Sequence, residues 1–199
     1  MSDARRAVLD AIRGAGTPAL ALPADGPAAA GLPPAELQAA FARALEAAGG
    51  HLVQAAPGAP LDAALAAALP IYRAARRVAA ALPDLGPAAL AAAAPADPRD
   101  LDGLDLAVVP GRFGVAENGA VWVDAGAHPH RAHHWRAEHL VLVVPAGALV
   151  ADLHAAYERL RFEGPGLGVF VAGPSKTADI EQALVIGAQG PRSTTVVLR

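Results

Sequence analysis

The only lysine of the chain, Lys176, lies in the run Val169-Phe170-Val171-Ala172-Gly173-Pro174-Ser175-Lys176-Thr177-Ala178-Asp179-Ile180-Glu181. The pattern predicts a buried strand, a Gly-Pro turn and a helix capped by Ser175 or Thr177, whose apolar side carries Ile180, Ala183, Leu184 and Gly187. At such a junction backbone N–H groups and one ammonium converge at the carboxyl end of a strand, where open α/β sheets bind ligands. Gly173, Ser175, Lys176, Thr177 and Asp179 are therefore candidate binding residues for an anionic metabolite. The same residues admit a plainer role, with Thr177 as a helix cap, Asp179 balancing the helix dipole and Lys176 solvated. Asp179 and Glu181 argue against a bare phosphate, since they already offer negative charge to that helix end. Arginine supplies the other side-chain positive charges, which favours a specific task for Lys176.

A second candidate lies in Phe113-Gly114-Val115-Ala116-Glu117-Asn118-Gly119-Ala120-Val121-Trp122-Val123. Asn118-Gly119 between apolar alternations predicts a two-residue type I′ hairpin, which leaves Glu117 as a solvated strand end. Facing a cleft, the Glu117 carboxylate could instead act as a catalytic acid or base, or accept a hydrogen bond from a ligand hydroxyl. The third is the tract from His128 to His139, in which His128, His130, His133 and His134 could ligate zinc. That spacing follows no defined metal motif, and Arg131 and Arg136 stand among the ligands, so a polar loop between strands is the favoured reading.

The elements that must hold these groups are legible as periodicity. Val8, Leu9 and Ile12, then Leu37, Phe41 and Leu45 after Pro33-Pro34, predict two amphipathic helices joined by a Pro/Gly-rich connector over 15–33. From His51 onward short apolar runs alternate with helical segments. Strands are expected near Leu52–Gln54, Arg77–Leu82, Leu106–Val109, Ala120–Asp124, Leu140–Val144, Gly168–Val171 and Thr194–Leu198, with a helix from Leu149 to Arg161. The uninterrupted run Leu140-Val141-Leu142-Val143-Val144 suggests a strand covered on both faces. The fold class is α/β, an open, mostly parallel sheet with helices on both faces, with residues 1–50 as a helical segment packed on a main domain of 51–199.

Composition excludes several functions. The chain has 199 residues, of which about a quarter are alanine, so the core depends on Leu, Val, Ile and a few aromatics. Sixteen basic and nineteen acidic residues, with no basic run, argue against nucleic acid. No apolar stretch reaches the ~20 residues of a spanning helix, and the first residues make no signal peptide, so the expected location is cytoplasmic. With no cysteine, the chain supplies no thiolate to an iron–sulfur cluster and no cysteine nucleophile.

Four segments resemble the LUD-domain family, in its lactate-utilisation protein C group: Ala116-Glu117-Asn118-Gly119 before a strand, His139 opening an apolar strand, the Gly173–Glu181 block, and Gly187-Ala188-Gln189-Gly190-Pro191-Arg192 before the last strand. The family's usual Ala-Glu-Thr-Gly-Thr reads Ala-Glu-Asn-Gly-Ala here, so both threonine hydroxyls are missing while Glu117 and Gly119 remain. The resemblance implies a fold like the superfamily of sugar-phosphate isomerases, CoA-transferases and formyltetrahydrofolate cyclo-ligases. It adds Gly119 and Gly190 to the candidate ligand-binding residues. It also implies a non-redox part in oxidising L-lactate to pyruvate, with the iron–sulfur clusters on partner proteins and no cofactor in this chain. The alternative is a free-standing enzyme acting on a phosphorylated, folate or CoA-like ligand, with Glu117 as acid or base and Lys176 as anion clamp.

Overall fold

The apolar run Leu140–Val144 lies on a central strand with its side chains buried in both directions. In this computed structural model residues 3–16, 32–80, 82, 85, 89–90, 97–124, 133–160, 166–178 and 184–199 are described. They form, in chain order, α1 (Asp3–Gly14), α2 (Pro34–Ala47), β1 (His51–Gln54), α3 (Leu61–Ala68), α4 (Pro70–Ala74), β2 (Val78–Ala80), β3 (Ala89–Leu90), a 3-10 turn (Pro98–Leu101), β4 (Leu104–Pro110), β5 (Phe113–Val115), β6 (Ala120–Asp124), α5 (His133–Arg136), β7 (Ala137–Val144), β8 (Leu149–Val150), α6 (Leu153–Arg159), β9 (Gly168–Val171), β10 (Lys176–Ala178), β11 (Leu184–Ile186) and β12 (Ser193–Leu198).

Six of these strands make one parallel sheet in the order β1-β12-β7-β4-β2-β3. Because side chains alternate across a strand, Leu140, Leu142 and Val144 join one core with Ala107, Val109 and Val196, while Val141 and Val143 join another with Leu106, Val108 and Val197. Leu61 and Leu65 of α3 and Tyr72 of α4 close the second core, so one face is covered by helices in the expected way. The first face is shared. Phe41 and Leu45 of α2, both fully buried, pack there beside Val121, Val123 and Leu149 of a second sheet, β8-β5-β6-β9. That sheet's other side, with Phe113, Val115 and Val150, is closed by Ala156 and Leu153 of α6. The architecture is α/β, as expected, with an additional small sheet between the main sheet and α6.

Helix α2 begins on Pro33-Pro34, with proline at its first position, where a missing N–H costs nothing. It ends in a Schellman turn: the Gly50 N–H donates to the Leu45 carbonyl at 2.9 Å and the Gly49 N–H to the Glu46 carbonyl at 2.8 Å. Helix α1 has no buried residue, and Val8 and Ile12 are exposed.

Three local expectations are corrected. The helix expected after Thr177 is absent where the chain is described: Lys176–Ala178 and Leu184–Ile186 pair as an antiparallel ribbon, so neither Ser175 nor Thr177 caps a helix there. Leu149–Val150 opens as a strand parallel to β5, and α6 starts only at Leu153, where Asp152 caps it by accepting from the Ala155 N–H at 2.8 Å. The Asn118-Gly119 hairpin exists, but Val115 pairs with Ala120, so its connection has four residues. The Gly119 N–H donates to the Val115 carbonyl at 2.9 Å, and Asn118 Oδ1 accepts from the Ala120 N–H at 3.0 Å. No helix among the described residues is long and apolar enough to cross a membrane.

Candidate functional site

The strand before the Gly-Pro turn, β9, belongs to the small sheet and runs antiparallel to β6, with Phe170 opposite Trp122. Lys176 therefore does not follow the carboxyl end of a strand of the parallel sheet, contrary to the expectation from sequence. Beyond β9 the chain instead reaches the amino ends of the main sheet. The Ser175 N–H donates to the Pro191 carbonyl at 2.9 Å and the Gly187 N–H to the Ser175 carbonyl at 2.9 Å, which holds the Gly173–Lys176 turn against the loop leading into β12. Gly190 lies beneath Ser175: a Cβ there would come within 3.2 Å of the Ser175 Cβ.

The last turn of α2 fills the other side of this junction. A Cβ at Gly119 would meet the Leu45 backbone nitrogen at 2.4 Å, and Gly173 is likewise pressed against Ala48. Both glycines have positive φ, +70° and +69°, so backbone conformation and close approach each exclude a side chain. The Lys176 Nζ lies 3.6 Å from where a Cβ on Gly49 would stand, beside the carbonyl end of α2, a favourable place for a cation. Lys176 and Thr177 are exposed; Asp179 is outside the described residues.

Glu117 stands apart from that group. Its Oε2 accepts from the Leu153 N–H at 2.9 Å, at the first turn of α6, and its own N–H donates to the Ala151 carbonyl at 2.9 Å. A carboxylate there offsets the positive end of the helix, and its exposure leaves it open to water. His139, on β7, shares a hydrogen bond of 2.7 Å between its Nδ1 and the Ser193 Oγ on neighbouring β12. Of the proposed zinc ligands, His128 and His130 lie outside the described residues, as do the side chains of His133 and His134. No group of three possible metal ligands occurs among the described residues.

A cleft of about 600 Å³ opens at the amino ends of β4, β7 and β12. Its lining comes from three segments: Asp102–Asp105 at the start of β4, Trp135–Glu138 at the start of β7, and Gly187–Gly190 with Arg192 ahead of β12. Two ion pairs lie among the lining residues, Arg136 with Asp102 and Arg192 with Glu138 at 2.6 Å. The Arg192 N–H also donates to the Glu138 carbonyl at 2.7 Å. Asp105 accepts from the backbone N–H groups of Arg76 and Arg77 at 2.7 and 2.9 Å, and these bonds, that of Arg77 foremost, hold its carboxyl below the usual carboxylate range. Arg77 in turn donates to the carbonyls of Asp102 and Asp100, bracing the turn that forms this wall. Of the candidate ligand-binding residues read from sequence, Gly190 lines the cleft; Gly119, Gly173, Ser175, Lys176 and Thr177 do not. Asp102, Asp105, Glu138 and Arg192 come from positions far apart in the chain, and the sequence signals near them are the His128–His139 tract, which holds Glu138, and the Gly187–Arg192 segment.

The family model described as the LUD domain matches residues 3–198. The chain belongs to the LUD domain family. This family is linked to lactate utilisation. Among solved structures, the LUD chain is similar to a DUF162 family protein from Deinococcus radiodurans, with a TM-score of 0.61 and 22% identity over 84% of this chain and 98% of that one. That likeness speaks for the fold alone. No curated protein matches the chain. The family match includes α2 as well as the sheet, in keeping with the way the Glu117–Gly119 and Gly173–Ser175 segments are seated on that helix.

Proposed function

We propose that this LUD protein is a non-redox component of a lactate-utilisation system of the protein C group, acting with iron–sulfur partner proteins in the oxidation of L-lactate to pyruvate in the cytoplasm. The observation that carries the reading is the family match over residues 3–198. The absence of cysteine supports the division of labour, because thiolate-held clusters must then reside on other chains. The chain's own part is to bind an anionic metabolite or a partner at the Gly173–Glu181 loop, where Lys176 is exposed beside the end of α2. Exposed Leu184 and Ile186 on the adjoining ribbon support contact with a partner protein.

The test is affinity purification of the tagged protein from lactate-grown cells, followed by mass spectrometry. Co-purifying cysteine-rich iron–sulfur proteins are the expected result. A protein that comes down alone overturns the accessory role and favours an enzyme acting on a phosphorylated, folate or CoA-like ligand. That second reading draws on the 600 Å³ cleft, whose volume suits a small molecule.

A further inference from the structure

We propose that the cleft at the amino ends of β4, β7 and β12 binds a nucleotide-sized ligand in which a planar heteroaromatic ring carries a phosphate or carboxylate arm. The inference rests on the second reading of this cleft, which it narrows to a ligand type and named residues, and it does not depend on the accessory role. Its first support is Trp135. This indole lines the cleft with 43% of its surface exposed and is the one aromatic side chain among the lining residues. A partly exposed indole that lines a cavity can stack a ring, and it discriminates little between one heteroaromatic and another.

The second support is the charge among the other lining residues. Arg192 is 64% exposed in its pair with Glu138, which is itself 44% exposed. Such exposed pairs contribute little stability, so a ligand anion can displace the Glu138 carboxylate from the guanidinium and take its forked donors. Ala188, Gln189 and Gly190 also line the cleft, and their N–H groups donate to no backbone acceptor among the described residues. Successive backbone amides beside an arginine suit three anionic oxygens, or two. Asp102, held only in an exposed pair with Arg136, can accept from a ring N–H or a hydroxyl, while Asp105 is already held by two backbone amides. A volume of 600 Å³ accommodates a ring and its arm together.

The experiment is calorimetric titration of the full chain with AMP and with folate, which carry the two kinds of arm, and with adenosine and inorganic phosphate as the separate halves. AMP or folate should bind, with adenosine and phosphate each about tenfold weaker or more. Trp135→Ala should weaken binding by about fivefold or more. Glu138→Gln should tighten it severalfold, because the competing carboxylate is gone; a damaged fold would only weaken it. The chain has two tryptophans, so a ligand-dependent change in emission that disappears in Trp135→Phe places the ring at Trp135 and not at Trp122. Absence of binding by both AMP and folate at about 1 mM overturns the proposal. Affinities unchanged in both Trp135→Ala and Glu138→Gln overturn it equally. Such a failure leaves the accessory role standing, since that role is read from co-purification.

Discussion

A Cβ on Gly173 would stand 2.2 Å from the carbonyl oxygen of Ala48, at the last turn of α2. One turn earlier, Gly119 stands in the same relation to the Leu45 backbone. The two glycines belong to the two segments that most resembled a ligand site in sequence, and in the fold each makes room for a helix. Lys176 and Ser175 then owe their placement to α2 and to the Gly187–Pro191 loop together.

Gly173→Ala should therefore destabilise the protein by about 2–4 kcal/mol, through a left-handed backbone conformation and a steric overlap with backbone that cannot swing aside. Gly147→Ala is the control, since nothing lies within 4 Å of a Cβ there. Urea unfolding of both variants measures the difference. Equal midpoints would mean that α2 is not seated on Gly173.

Glu117→Ala should remove the acceptor for the Leu153 N–H and lower stability by about 0.5–1.5 kcal/mol, with the loss centred on α6. Glu117→Gln keeps an oxygen acceptor and should lose less than half of that. Hydrogen exchange at the first turn of α6 reports the cap directly. If Glu117→Gln unfolds as readily as Glu117→Ala, charge rather than hydrogen bonding holds the helix end.

Asp105 has a carboxyl held below its ordinary value by the Arg77 and Arg76 amides. A group depressed in the folded state stabilises the fold above its unfolded pKa, near 3.9, and that contribution is lost as pH falls through the lower folded value. Asp105→Asn should accordingly lower stability at neutral pH and flatten the acid limb of stability against pH below about pH 4. Thermal unfolding from pH 2 to 7 checks the slope; parallel curves for the two proteins would remove Asp105 from the acid transition.

Lys176→Ala should abolish the thermal stabilisation given by an anion bound at the Gly173–Lys176 turn, a shift worth about 2.7 kcal/mol at a hundredfold excess over Kd. Lys176→Arg should keep part of it, because charge is retained while reach changes. Titrating sugar phosphates, CoA esters and folates separates this site from the cleft: a shift that survives Lys176→Ala but not Arg192→Ala assigns the anion to Arg192.

The strands were readable because their signal is local. Ala120–Asp124 and Gly168–Val171 lie where alternation and β-branched residues place them, and Leu140–Val144 sits mid-sheet with both faces covered, as an unbroken apolar run requires. Helix α2 follows from its prolines and from the spacing of Phe41 and Leu45. The segment after Thr177 shows where local signals mislead. Ile180, Ala183, Leu184 and Gly187 fit a helical period, yet Thr177 pairs with Val185 in a ribbon anchored by Ser175 to Gly187 and Pro191. Non-local hydrogen bonds outweigh a periodicity of four apolar positions.

By itself the sequence determined the α/β class, the family, the absence of thiolate chemistry and most of the strands, since each depends on residue type or on spacing within one element. Only the tertiary structure decided that β9 pairs antiparallel in a second sheet, that Gly119 and Gly173 seat α2, and that Asp102, Trp135, Glu138 and Arg192 face one cleft. Those relations join residues tens of positions apart, and a chain acquires them only when strands from distant segments lie side by side and bring their amino ends together.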